Sequence, residues 1–301
     1  TQNRSMKANG EISVGREGGT GSFAISGNAT LTSGGNFSVG GWDGGTGLFQ
    51  QNGGTVNAGN EIGIGVRGAT SNGTYLLNSG SLNGNSWISV GRDGGKGTFV
   101  MTGGEIHQAH AGDNRLNVGW GAGSQGDFAQ SGGIVDVNQM WVGDSGGVGN
   151  ASISGGTLSA AGALGVGQGG GTGTMTVEAL ATVDAVSVQV GADAGSQGTL
   201  IINGGSVTSN GGEVIIGRDG AIFGKVVNNG GTFTSLGGNL DVGRASSTGT
   251  FENNNGTVSS ADWLSLGRFT DGKGTYIQNG AGASTTVNRA WIGVDSGSMA
   301  T

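Results

Sequence analysis

The chain has 301 residues, with 72 Gly, no Pro and no Cys; hydrophobic residues make up 34%, charged residues 11%, and the net charge is −7. The missing Cys excludes a disulfide framework and thiolate metal sites, the missing Pro excludes collagen, and an acidic chain with 13 Lys and Arg carries no electrostatic footprint for nucleic acid. A Gly content near one in four would suit a flexible tract, but disordered chains are rich in Pro and charge, whereas this one has a steady supply of Val, Ile, Leu and Phe.

From the N-terminus onward, a segment of the form apolar, any, apolar, Gly recurs: Ile12 to Gly15, Phe37 to Gly40, Ile62 to Gly65, Ile88 to Gly91, Leu116 to Gly119, Met140 to Gly143. It continues at Leu164 to Gly167, Val188 to Gly191, Val214 to Gly217, Leu240 to Gly243, Leu264 to Gly267 and Ala290 to Gly293. Successive anchor glycines are 24 to 28 residues apart, with a mean near 25. Each period carries two further strand signals. One follows a Gly-rich turn, as in Gly97-Thr98-Phe99-Val100-Met101; the other follows an Asn/Ser-Gly-Gly turn, as in Asn52-Gly53-Gly54-Thr55-Val56.

Three strands in 25 residues cannot bury an apolar face alone, but stacked copies share one core. The pattern therefore predicts an all-β, parallel, three-sided β-solenoid of about twelve coils of about 25 residues, a single domain over 1–301. At about 4.8 Å per coil the rod is roughly 58 Å long. The expected inward residues are the two apolar positions of each first strand; Phe23, Phe49, Tyr75, Phe99, Phe128, Met175, Leu200 and Phe251 on the second; and Leu31, Val56, Leu82, Ile106, Val135, Leu158, Val183, Val207, Phe233 and Val258 on the third. Gly supplies the positive φ and close backbone approach that corners need, and Pro is absent because nearly every strand amide must donate to the next coil.

Segments such as Ser89-Val90-Gly91-Arg92-Asp93-Gly94-Gly95 and Gln130-Ser131-Gly132-Gly133-Ile134-Val135 resemble the Gly-rich β-solenoid repeats of bacterial surface and exported proteins, autotransporter passengers among them. The resemblance covers essentially the whole chain. It implies an extracellular or cell-surface location and a structural or adhesive role, and it brings no catalytic residues.

The two ends read as parts of one coil. Ser5-Met6-Lys7-Ala8-Asn9-Gly10 aligns with a third strand, and Gly297-Ser298-Met299-Ala300-Thr301 with the start of a second strand such as Gly173-Thr174-Met175-Thr176. No polar or helical cap is visible, and an open heterologous contact generates a filament. The expectation is a subunit that assembles head-to-tail with itself, by an interface of Met6, Ala8, Ile12, Val14, Trp263, Trp291, Ile292 and Met299. An adhesin or carbohydrate-binding stalk with glycan partners is the alternative. An enzyme is not expected, since lyases on β-helices need carboxylate clusters and long loops. No cofactor, metal site or membrane insertion is expected; no apolar run approaches the length of a bilayer span.

Several side-chain groups invite a function and have a plainer reading. Arg16, Arg92, Arg218, Arg244 and Arg268 follow anchors, often beside an acid, and suggest either a grip on an anionic polysaccharide or corner ion pairs; the pairs are the simpler account. Trp87, Trp141, Trp263 and Trp291 should point outward, where they could stack on sugars, bury in a contact or have no role. A broken ladder of Thr30/Thr32, Thr55/Asn57, Thr157/Ser159, Thr232/Thr234 and Thr257/Ser259 resembles an ice-binding face but fits β-propensity better. The longest spacing, Gly91 to Gly119, holds His107, His110 and Asp113; a solvated bulge is expected there rather than a metal site. Asn228, Asn253 and Gln278 share one inward position and should hydrogen-bond along the axis.

Overall fold

Each repeat supplies period-2 alternation and a Gly at most of its corners, and the chain uses both to coil. In the computed structural model, which describes residues 4–301, the described residues form strands and no helix. The architecture is the parallel β-solenoid of about twelve coils expected from the repeat. Every strand pairs in parallel with the equivalent strand one coil away: Leu116 lies between Ile88 and Met140 on the first face, Phe128 between Phe99 and Ala151 on the second, and Val135 between Ile106 and Leu158 on the third. Where corners straighten, strands of successive faces merge, as in Val148–Gln168 and Thr172–Ala192.

The core is one continuous cluster running from Val14 to Leu266. The predicted third-strand column is buried throughout, and the second-strand column is completed by Ala151, Val226 and Tyr276. Aromatic rings stack along the axis in that column: Tyr75 on Phe99 at 4.9 Å and 10°, Phe99 on Phe128 at 5.4 Å and 25°. Phe23 departs from expectation. It occupies the inward column and stacks on Phe49 at 5.8 Å, yet it is 36% exposed, because it belongs to the outermost coil and only one neighbour covers it.

Coil lengths vary, but the strands keep register because the corners absorb the difference. The longest repeat places its extra residues at 109–115, while Gln108 still pairs with Gly84 and Leu116 with Ile88. All twelve anchor glycines have φ between 61° and 77°, the left-handed region that a Cβ disfavours.

A second amide column also differs from expectation. Asn228 donates to Asn253 Oδ1 at 3.3 Å, but Gln278 is exposed and bonds Thr285 and Ala283 instead. The column's other polar members are Gln51 and Gln130, 25 or more residues away in sequence. Gln51, Gln130 and Asn228 each donate one amide both to the carbonyl three residues on, at Gly54, Gly133 or Gly231, and to a carbonyl of the next coil, at Ser81, Thr157 or Thr257. An inward amide is thus the clamp for a corner that its own backbone leaves unsatisfied.

Candidate functional site

The outer side of the first face is not an open sheet. Its outward row includes Ser38, Ser89, Asn117, Asp241 and Ser265, which are all at most 3% exposed. Long side chains cover this row from two flanking columns, four residues before the anchor and one or two after it. In the first five coils these columns include Arg16, Trp42, Arg67, Trp87, Arg92, Arg115 and Trp120, and Trp141 of the sixth coil stands in the row itself. Trp42 lies between Arg16 and Arg67 at 5.0 and 4.2 Å, Arg92 lies against Trp87 and Trp120 at 5.5 and 5.1 Å, and Arg115 against Trp87 and Trp141 at 5.3 and 4.8 Å. Trp87 and Trp120 meet edge-on at 5.7 Å and 72°. Each such contact contributes about 0.5–2 kcal/mol depending on desolvation.

Carboxylates hold the guanidinium groups in place. Glu61 accepts from Arg92 and from the Ser89 hydroxyl at 3.0 Å. Asp113 takes both oxygens to Arg115 Nη2 at 2.6 and 2.7 Å, and Arg115 also lies 3.5 Å from Asp144. Burial raises the Asp144 carboxyl above its ordinary value, against the lowering influence of Ser145 and Arg115. Toward the C-terminus the same columns carry Arg218 with Asp193 and Asp219 at 3.0 and 2.9 Å, Arg244 with Glu213 at 2.7 Å, and Arg268 with Asp241 at 2.9 Å. The arginines are therefore corner ion pairs, as the plainer sequence reading has it. Phe269 sits under both Arg244 and Arg268 at 4.8 and 4.7 Å.

The tryptophans are outside the core, as expected, but half-buried rather than free. Sequence reasoning missed Trp42, Trp120, Arg67 and Arg115 as members of the same strip. Superposing the repeats on the anchor would have found them: Arg115 shares the column four before the anchor with Trp87, and Trp42, Arg67 and Trp120 follow their anchors by one or two residues, as Arg16 and Arg92 do.

The predicted assembly residues fall into two groups at opposite ends of the rod. Met6–Ala8 pairs with Leu31–Ser33 as a third strand, as expected, and Ile12 and Val14 lie in the same outer coil. At the other end Trp263 meets Trp291 with centroids 3.8 Å apart, and Ile292 is 68% exposed. These two tryptophans are diagonal neighbours, since Trp263 pairs with Arg289 and Ser265 with Trp291. Met299 lies three positions from its expected place. It pairs with Lys273, and Ala300, not Gly297, takes the column of Gly274. The turn from anchor to second strand takes six to eight residues in the other coils, as from Gly91 to Gly97 and from Gly65 to Gly73, so the step from Gly293 to Gly297 is too short; Ala300 takes the place, and Met299 points away from the core and is 56% exposed.

The His-bearing bulge is held by carboxylates: His107 Nε2 lies 3.0 Å from Glu105, and His110 Nε2 lies 2.9 Å from Asp136, whereas Asp113 belongs to Arg115. Among the described residues no group of three or more His, Asp or Glu is arranged to hold a metal ion. The hydroxyl ladder is longer than the sequence suggested. Thr157, Thr182, Ser206, Thr232, Thr257 and Ser284 form one unbroken column beside Ser159, Asp184, Thr208, Thr234, Ser259 and Thr286, in which Asp184 is the break; on the N-terminal side Glu105, His107, Ile134 and Asp136 interrupt both columns. No helix of the described residues is long and apolar enough to cross a membrane. Comparison of the chain with protein-family models, with curated proteins and with solved structures returns no match.

Proposed function

We propose that this chain is a structural element of an extracellular filament or surface layer, in which solenoid units continue one another end to end by parallel strand pairing. The observation that carries the reading is the unbroken register of all three faces around one continuous core. A rod of this kind is stiff, because bending it stretches inter-coil hydrogen bonds on one side and compresses close-packed side chains on the other. Its outermost coils are built like its inner ones, with core-column residues open to a further coil: Phe23 and Met6 at one end, Ile292 at the other, 36%, 48% and 68% exposed. A further coil stacked in register covers such residues and supplies partners for the strand edges.

Electron microscopy and sedimentation across a concentration series test this. Fibres with a width of one solenoid and a length that grows with concentration are the expected result, and Ile292→Lys, which places a charge on the end face, shortens them. Rods of one fixed length at millimolar protein would overturn the proposal.

A further inference from the structure

We propose that the Trp–Arg strip on the first face of coils one to five is a binding site for a neutral, extended polysaccharide whose sugar rings present flat apolar faces and ring-edge hydroxyls. This function does not depend on end-to-end assembly. Its centre is a pocket of about 250 Å³ walled by Asn60, Glu61, Ser86, Trp87 and Arg92. These five side chains offer what a sugar ring requires. Trp87 supplies a broad apolar ring with a polar edge. Glu61 supplies acceptors, Arg92 donors, and the Asn60 amide and Ser86 hydroxyl both, so vicinal hydroxyls that donate and accept at once find partners of each kind.

Charge decides which polysaccharide. The four guanidinium groups of the strip, Arg16, Arg67, Arg92 and Arg115, are each matched by carboxylates: Glu11 and Glu17, Glu61, Glu61 with Asp93, and Asp113 with Asp144. An anionic chain would find no uncompensated positive charge here and would meet the acidic groups. A neutral chain loses nothing by the pairing, and the paired groups are fixed in place before it arrives, which lowers the ordering cost of binding.

The coil rise of about 4.8 Å is comparable to the length of one sugar residue in an extended chain. A single glycan lying parallel to the rod is therefore in step with the adjacent coils where Trp87 and Trp120 meet.

The test is depletion of the purified chain by insoluble neutral β-glucan and chitin, with titration of their soluble oligomers followed by Trp fluorescence, in low and high salt. Binding that changes less than twofold between 50 and 500 mM salt is expected, because no counterion-dependent contact is used. Asn60→Arg, at an exposed position that blocks the pocket mouth, weakens binding at least tenfold with an unchanged circular dichroism spectrum; Trp120→Ala does the same, and Trp263→Ala, at the far end, leaves it intact. No depletion by either neutral polymer, or binding confined to an anionic polymer such as polyuronate and abolished by salt, overturns the proposal. So does an Asn60→Arg variant that folds and binds as the parent does.

Discussion

The ten second-strand glycines from Gly47 to Gly274 offer a prediction in which two effects of opposite sign compete. Gly173 does not have a positive φ, so by backbone entropy alone Gly173→Ala should stabilise the fold by about 0.4–1 kcal/mol. Space says otherwise. A Cβ on Gly173 would lie 2.1 Å from the Val142 carbonyl oxygen of the preceding coil and 2.4 Å from the Gly167 amide nitrogen of its own, where contact normally begins near 3.4 Å. Both neighbours are backbone and cannot rotate away. Relieving the clash separates coils six and seven by about an ångström at that corner, adding an overpacking cost of about 1–3 kcal/mol to the weakening of one or two ladder hydrogen bonds at about 1 kcal/mol each. The net is a destabilisation of about 2–4 kcal/mol. Gly211→Ala is the control, since nothing lies within 4 Å of its Cβ and its φ is ordinary; it should be neutral or slightly stabilising. Urea titrations followed by far-ultraviolet circular dichroism compare the three proteins. A Gly173→Ala midpoint at or above that of the parent would refute the close-packing account of this column.

Tyr75 is fully buried, and burial holds its phenol well above the ordinary value near 10. The native state keeps the proton that the unfolded chain gives up, so this group's stabilisation is complete below pH 10 and is lost as pH rises further, by about 1.4 kcal/mol per pH unit. The stability difference between the parent and Tyr75→Phe, measured by urea at pH 9 and 11, should shift toward the variant by that slope; a flat difference counts against it. Gln51→Leu leaves the Tyr75 hydroxyl and the Gly54 and Ser81 carbonyls without their partner and should cost about 2–4 kcal/mol, seen as a lower thermal midpoint. Asp241 is raised mainly by burial, against the lowering effect of Arg268. Its contribution is therefore present below the ordinary carboxylate value near 3.9 and lost as pH rises through the higher native value. Relative to Asp241→Asn, the parent should gain stability on going from pH 7 to pH 3, and a relative loss in acid would contradict the assignment.

The sequence made the coil legible because a β-solenoid writes each structural position once per repeat. Ile88, Leu116 and Met140 are far apart in the chain, but each sits three residues before a Gly, and that spacing alone places them in one buried column. What the repeat could not show was contact between columns. Arg92 and Trp120 both follow their anchors, and Trp87 and Arg115 both precede theirs by four, yet Arg92 touches both tryptophans and Arg115 reaches Trp87 and Trp141. These contacts run across the covered row of Ser89 and Asn117, and only the folded geometry shows that both flanks bend over it. Met299 failed for a related reason. Similarity of local sequence suggested a register, and the minimum length of the corner turn imposed another.

Gly abundance hid a further distinction, because two kinds of Gly with different physical duties abut at the same corner. The anchor Gly143 has φ 68° and so needs to be Gly for conformation; Gly173 does not. Yet a Cβ on Gly143 would meet Thr172 of the following coil at 2.0 Å, and one on Gly173 would meet Val142 at 2.1 Å, so each also needs to be Gly for the other. The pair recurs along the rod, at Gly65 with Lys96 and Gly73 with Val39, for example. This corner sets how closely successive coils approach, even though the turn that leaves it varies from Gly91–Gly97 to the longer Gly65–Gly73. The bulge at 109–115 leaves the neighbouring strands in register because it falls at a different corner, where Gly112 has nothing within 4 Å. Side chains can therefore be added at that corner without changing the rise per coil. The anchor corner, with backbone on both sides, is what fixes that rise.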